Sequence, residues 1–232
     1  MLLKMFSLFK RKSKTPFYYS LTKKIEKDGF AIIGECKKAS PSAGTIVENY
    51  DPEDIAKYYE ELGIACVSVV THKKDFDGSM WDIFRAKKQC NLPILRKDFL
   101  HYPHEIVSSK HWKADCVLLI MRNLTTADAL ELESWCRHMK LECIAEIHNE
   151  MDLEKALHLQ TKMIGINNRN LATLQVDIGI TEDLAPMIPD DRLIISESGI
   201  NVDRDIDLLK TLGVRCALIG ESLLGRYKES KG

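Results

Sequence analysis

Eight short apolar runs, rich in β-branched residues and separated by segments long enough for a helix, constrain the fold more than any other feature. They are Phe30 to Cys36, Ile64 to Val70, Leu92 to Leu95, Cys116 to Ile120, Leu141 to Ile147, Met163 to Ile166, Leu193 to Ile195 and Val214 to Ile219. Each has strand length and is apolar on both faces, so the sheet they form must be parallel and covered by helices. The intervening segments carry helix signals. Asp51 suits an N-cap, Pro52 the first helical position and Gly63 the stop of a helix bearing Ile55, Tyr58, Tyr59 and Leu62. Thr125 or Thr126 caps a helix with Leu130, Leu132 and Trp135. Asn149 caps one with Leu153, Ala156, Leu157 and Leu159, and Asn201 opens another that ends near Gly213. Eight such units in 232 residues predict an α/β fold of the (βα)8 TIM barrel type. A doubly wound open sheet competes, but it usually has fewer strands and often a G-x-G-x-x-G turn, whereas here the first strand ends Glu35-Cys36-Lys37-Lys38. No repeat, low-complexity tract or linker divides the chain, so residues 1–232 are expected to form one barrel domain, with residues 1–29 as an N-terminal extension.

The charge balance narrows the partners. Lys and Arg total 33 against 34 Asp and Glu, which leaves no basic field for nucleic acid. The expectation is a small-molecule partner. The 7 cysteines lie mostly inside apolar runs without C-x-x-C spacing, as buried thiols of a reducing compartment do, so a cytoplasmic location is expected. No apolar stretch reaches the ~18 residues of a membrane span. The run from Met1 to Phe9 is broken by Lys4 and lacks a small-residue cleavage site, so neither a membrane nor secretion is expected. The histidines at 72, 101, 104, 111, 138, 148 and 158 show no ligand spacing, and no metal is expected. His72, at the mouth end of the second strand, reads as a solvated loop residue, and Trp81, Trp112 and Trp135 read as helix-to-barrel packing.

Polar residues collect where barrels of this type keep their active sites, at the C-terminal strand ends. Alternation puts Glu35 and Lys37 on one face and Cys36 on the other. Lys97, Glu146, Asn167, Arg169 and Glu197 close the third, fifth, sixth and seventh strands. A cluster of buried charges is unfavourable unless mutual pairing or a ligand uses them. Ser198-Gly199 after the seventh strand and Gly220-Glu221-Ser222 after the eighth suit an anion, because glycine lets backbone N–H groups turn inward and the next helix offers its N-terminus. Phosphate commonly binds there in barrels.

From about Phe17 to Arg226 the chain resembles the indole-3-glycerol-phosphate synthase family. The resemblance rests on ordered motifs: Ile33-Gly34-Glu35-Cys36-Lys37-Lys38-Ala39-Ser40-Pro41-Ser42, Leu95-Arg96-Lys97-Asp98-Phe99, Ala145-Glu146-Ile147-His148, Gly165 to Leu171, Ser196 to Ile200 and Gly220 to Leu223. It implies ring closure of 1-(2-carboxyphenylamino)-1-deoxyribulose 5-phosphate, with loss of carbon dioxide and water, to indole-3-glycerol phosphate in tryptophan biosynthesis. It implies no cofactor. The resemblance makes Lys97 the acid on the carbonyl oxygen and gives Glu146, with Glu35 and Lys37, the later proton transfers. Asn167, Arg169 and Glu197 would orient the anilino group and hydroxyls. Phe76 and Leu118 would flank the aromatic ring, and Ser40, Ser198, Gly199, Gly220 and Ser222 would hold the phosphate. Neighbouring carboxylates are expected to keep both lysines charged.

Two departures stand out. Thr71-His72 replaces the family's usual Thr followed by an acidic residue, and the segment before the first strand is shorter than usual. In the family that segment covers the barrel mouth. Here Leu2, Met5, Phe6 and Phe9 at helical spacing, followed by Lys10-Arg11-Lys12, predict a short amphipathic helix laid on the barrel, with a flexible tail and a membrane-surface anchor as the competing readings. Two other readings compete: another phosphate-binding barrel enzyme such as a sugar-phosphate isomerase, and a non-catalytic paralogue. The first is not expected to carry Glu35, Lys37, Lys97, Glu146 and Asn167 together, and the complete polar set argues against the second. A monomer is expected, with association with other tryptophan-pathway enzymes left open.

Overall fold

The structure, a computed structural model, describes residues 16–170 and 173–231. The amphipathic helix expected over Met1 to Lys14 lies outside the described residues, as does Leu171 of the sixth-strand motif.

All eight expected strands form. They are β1 (Ala31–Cys36), β2 (Cys66–Val70), β3 (Ile94–Lys97), β4 (Cys116–Ile120), β5 (Glu142–Ile147), β6 (Met163–Asn167), β7 (Leu193–Glu197) and β8 (Cys216–Ile219). Every neighbouring pair is parallel, and β1 closes the barrel against β8, with Ala31 opposite Cys216, and against β2, with Ile33 opposite Cys66. The chain is a (βα)8 barrel. Its helices are α1 (Phe17–Asp28), α2 (Pro52–Glu61), α3 (Lys73–Phe76), α4 (Met80–Gln89), α5 (Pro103–His111), α6 (Thr126–Met139), α7 (Glu150–Leu157), α8 (Gly179–Leu184), α9 (Ile206–Thr211) and α10 (Glu221–Glu229).

The caps follow the residue chemistry. Asp51 accepts a hydrogen bond from Glu53 N with Pro52 in the first turn, Thr125 forms a capping box with Asp128, and Asn149 accepts from Asp152 N. Gly63, at φ 72°, ends α2. The Asn201 expectation is corrected. Asn201 accepts from Asp203 N while its own N–H donates to Asp205, which builds a turn, and α9 begins only at Ile206.

Strand alternation divides the core in two. One set, including Val67, Val69, Val117, Leu119, Ile164 and Ile166, packs outward against the helices. The other, including Ala31, Ile33, Cys66, Leu95, Cys116, Leu118, Ile144 and Ile195, fills the barrel. Phe17 and Leu21 of α1 join this inner set. The Glu142 carboxylate at the start of β5 accepts the backbone N–H groups of Phe17 and Tyr18. The described part of the 1–29 extension therefore plugs the N-terminal end of the barrel, opposite the mouth.

The tryptophan expectation is also corrected. Trp81 and Trp135 are 47% and 36% exposed, and Trp81 meets Trp112 edge-on at 4.9 Å on the outer surface. Ile83 and Ala86 take the inner face of α4, while Ala129, Leu132 and Cys136 take that of α6. Leu62, Leu130 and Leu157 likewise lie outward. All seven cysteines are buried free thiols. No helix of the described residues is long and apolar enough to cross a membrane.

Candidate active site

A cavity of about 740 Å3 opens at the C-terminal strand ends. It is lined by Glu35, Lys37, Lys97, Glu146, Asn167, Arg169, Phe76 and Leu118, and by Ser40, Ser198, Gly199, Gly220 and Ser222. Residues up to 187 positions apart in the chain thus meet at one mouth, because a two-residue step along each strand carries the side chain from the packed interior to the rim. Ile33 leads to Glu35, Leu95 to Lys97, and Ile144 to Glu146.

The floor is an ion cluster. Lys97 Nζ lies 2.7 Å from Glu197 Oε2 and 3.5 Å from Glu146 Oε2. Lys37 Nζ lies 2.7 Å from Glu35 Oε1. Burial acts to lower the Lys97 pKa, but Glu197, Glu146 and Glu35 outweigh it and hold the ammonium well above the usual lysine range. With Glu35 burial acts upward, and Lys37 and Lys97 overcome it to keep the carboxyl below its usual range. Glu197 moves the other way. Burial, together with the negative charges of Glu146 and Glu35, outweighs Lys97 and pushes it up to about 7. Two ammonium groups face three carboxylates, so the surplus negative charge favours protonation of the most buried of them.

Glu197 is fully buried beneath Lys97 and does not line the cavity, and its Oε1 has no hydrogen-bond partner. It holds Lys97 from below. Asn167 Nδ2 donates to Glu146 Oε1 at 3.2 Å. Arg169 crosses the rim, donating to Leu174 O at 3.0 Å and Ser42 Oγ at 3.3 Å, with Nη2 3.8 Å from Glu221.

The opposite rim suits an anion. Ser198 and Gly199 take consecutive left-handed conformations, at φ 69° and 72°. A Cβ on Gly199 would lie 2.1 Å from Val176 Cγ1, so only glycine fits that turn. Gly220 precedes the N-terminus of α10, where unpaired N–H groups favour negative charge.

Sequence reasoning missed several lining residues. Phe99 lies two residues beyond Lys97, so the alternation that finds Lys97 also points to it. Glu221, 3.8 Å from both Lys37 and Arg169, carried no signal beyond its neighbour Gly220. His72 is corrected from a solvated loop residue: it lines the cavity, with Nδ1 3.2 Å from Asp98, Nε2 3.0 Å from Asp75 and its ring edge-on to Phe99 at 4.9 Å.

Comparison with known proteins agrees with this geometry. A family model described as indole-3-glycerol phosphate synthase matches residues 4–231. The chain is 40% identical over 208 residues to the indole-3-glycerol phosphate synthase of Azospirillum brasilense, covering 90% of this chain and 79% of that one. It is 42% identical over 212 residues to that of Acidovorax sp., covering 90% and 80%. Among solved structures, the N-acetylmannosamine-6-phosphate 2-epimerase of Clostridium perfringens superposes with a TM-score of 0.64 at 15% identity, over 87% of this chain and 90% of that one, a likeness of fold alone. By motif order, barrel architecture and extent of match, the chain belongs to the indole-3-glycerol phosphate synthase family.

Proposed function

We propose that the chain converts 1-(2-carboxyphenylamino)-1-deoxyribulose 5-phosphate to indole-3-glycerol phosphate, carbon dioxide and water. The observation that carries this reading is the Lys97 ammonium, seated on Glu197 and Glu146 at the floor of a cavity with a glycine-lined anion seat on its rim. Attack of the aromatic carbon on the ketose carbonyl puts negative charge on oxygen, and Lys97 donates the proton that quenches it. Carbon dioxide then leaves. Expulsion of the hydroxyl as water takes a second proton, and Glu146 removes the ring-carbon proton that restores aromaticity.

Lys37, paired with Glu35, binds the substrate carboxylate until it departs and shares the later proton transfers. Asn167 and Arg169 orient the anilino nitrogen and hydroxyls. Phe76, Phe99 and Leu118 flank the ring. Ser40, Ser198, Gly199, Gly220 and Ser222 hold the phosphate with the α10 N-terminus. The chain works without a cofactor, as one barrel domain with residues 1–29 as its extension, and as a cytoplasmic monomer. Its buried free thiols support the reducing compartment.

The test supplies the substrate and follows indole fluorescence for the parent protein and Lys97→Ala. Turnover by the parent and a loss of at least about 100-fold in the variant are expected, the scale of a positioned acid. Equal turnover by both excludes Lys97 as the acid.

A further inference from the structure

His148 follows β5 directly, two residues beyond Glu146, and does not line the cavity. Its side chain is 3% exposed and stands between two carboxylates, with Nε2 3.4 Å from Glu146 Oε1 and Nδ1 3.5 Å from Asp152 Oδ2. Both ring nitrogens are buried, yet neither makes a hydrogen bond of ordinary geometry. Buried polar atoms are nearly always partnered, so an imidazole held this way calls for an explanation.

The charges around it decide its state. Burial and the nearby Arg122 and Lys97 hold the imidazole below the usual histidine range, against the pull of Asp152 and Glu197. A neutral imidazole has one N–H to give. Asp152 is already served: its Oδ2 accepts the His148 backbone N–H at 3.2 Å, and its Oδ1 lies 3.4 Å from the Lys155 ammonium. The ring N–H falls to Glu146, the nearer of the two at 3.4 Å against 3.5 Å, whose Oε1 has room for it beside Asn167 Nδ2. The 3.4 Å gap is about half an ångström longer than a standard hydrogen bond, a difference that side-chain adjustment closes when a ligand fills the site.

We propose that His148 is a positioning residue for the reaction, donating from Nε2 to Glu146 Oε1 so that, with Asn167 on the same oxygen, it fixes the direction in which Glu146 faces the substrate. This rests on the reading of Glu146 as the base. It predicts a neutral Nε2–H tautomer and a donor that acts through Glu146 without touching substrate.

Three variants and one spectrum test it. His148→Asn and His148→Phe remove a donor at the Nε2 position, and kcat is expected to fall by about 10-fold or more with KM within about 3-fold, the range seen when a supporting partner of a functional group is lost. His148→Gln keeps an N–H near the Nε2 position and retains at least about a third of the parent kcat. Independently of any variant, a two-bond 1H–15N correlation spectrum of the 15N-histidine-labelled protein at pH 7 is expected to show the Nε2–H tautomer. An Nδ1–H form or an imidazolium overturns the proposal. So does an unchanged kcat in the Asn and Phe variants, or a Gln variant that falls as far as Phe. A parent protein that does not turn over the substrate defeats the assigned reaction, while the tautomer still decides the hydrogen bond.

Discussion

Replacing Lys97 by Met separates the electrostatic role of this residue from its catalytic one. The ammonium is 2.7 Å from Glu197 and 3.5 Å from Glu146, both at most 2% exposed, and Met keeps most of its volume without the charge. Glu197 already titrates at about 7 with Lys97 beside it, against about 4.3 for an ordinary glutamate. A carboxyl raised in the folded state stabilises the fold below the unfolded pKa, and that contribution fades as pH rises through the folded pKa. In the parent protein the fading therefore ends near pH 7. Without the ammonium the Glu197 pKa climbs further, so the folded variant keeps a proton that the unfolded chain has released, and its stability goes on falling above pH 7. The slope is about 1.4 kcal/mol per pH unit. At this chain length about 1 kcal/mol moves Tm by roughly 2–4 °C, so the gap between parent and variant should widen by roughly 3–6 °C per pH unit between pH 7 and 9. Below pH 5, where the carboxyl is protonated in both folded proteins, the gap should be smallest. Thermal melts followed by circular dichroism across pH 5–9 measure it. Parallel curves for the two proteins would refute the claim that Lys97 restrains the protonation of Glu197.

Gly165→Ala tests the geometry of the same cluster from the opposite wall: its Cβ would lie 2.4 Å from Glu197 Oε1, so Glu197 must shift and take Lys97 with it. Steady-state assays should show kcat reduced on the order of 10- to 100-fold with the fold retained, the consequence of a displacement of about 1 Å at a reacting group. Glu142→Ala removes the acceptor for the Phe17 and Tyr18 N–H groups at the start of α1 and is expected to destabilise the protein by about 1–2 kcal/mol. A urea midpoint lowered accordingly, with faster proteolysis within residues 17–28 and unchanged KM, would check it.

The strands were legible because parallel barrel strands are buried on both faces and leave unbroken apolar runs. The site was legible because side chains alternate, so Glu35, Lys97, Glu146 and Asn167 could be assigned to one mouth from their places at strand ends. What stayed hidden depends on partners remote in sequence. Phe17 and Leu21 look like any apolar pair on a helix, and their place in the barrel interior is set by Glu142, 125 residues from Phe17. The depth of Glu197 was hidden for a related reason. Period two reports the face of a side chain but not what covers it, and Glu197, in register with Asn167, lies under the Lys97 ammonium that reaches it from another strand. Trp81 and Trp135 misled because apolar character alone does not locate a residue on a helix face, and Ile83 and Cys136 occupy the buried positions of those helices.

The strand-end motifs gain their meaning from pairs of adjacent residues that point opposite ways. Lys97 faces the cavity, while Arg96 faces the helices and donates to Glu105 O at 3.0 Å, Ser109 Oγ at 2.9 Å and Asp98 Oδ2 at 2.9 Å. Asn167 faces Glu146, while Asn168 donates outward to Ser196 Oγ at 3.0 Å and accepts from Thr181 at 2.7 Å. Ser196, outward, precedes Glu197, inward. In each pair the outward member pins the strand end to a helix through buried, satisfied hydrogen bonds, and that fixes the direction of its inward neighbour. A substrate therefore meets an ammonium and a carboxylate held in place before it arrives, which is the condition under which such groups lower a barrier without first having to be reoriented. The outward residues belong to the reaction as much as the inward ones, because strand alternation makes the aim of one the consequence of the anchorage of the other.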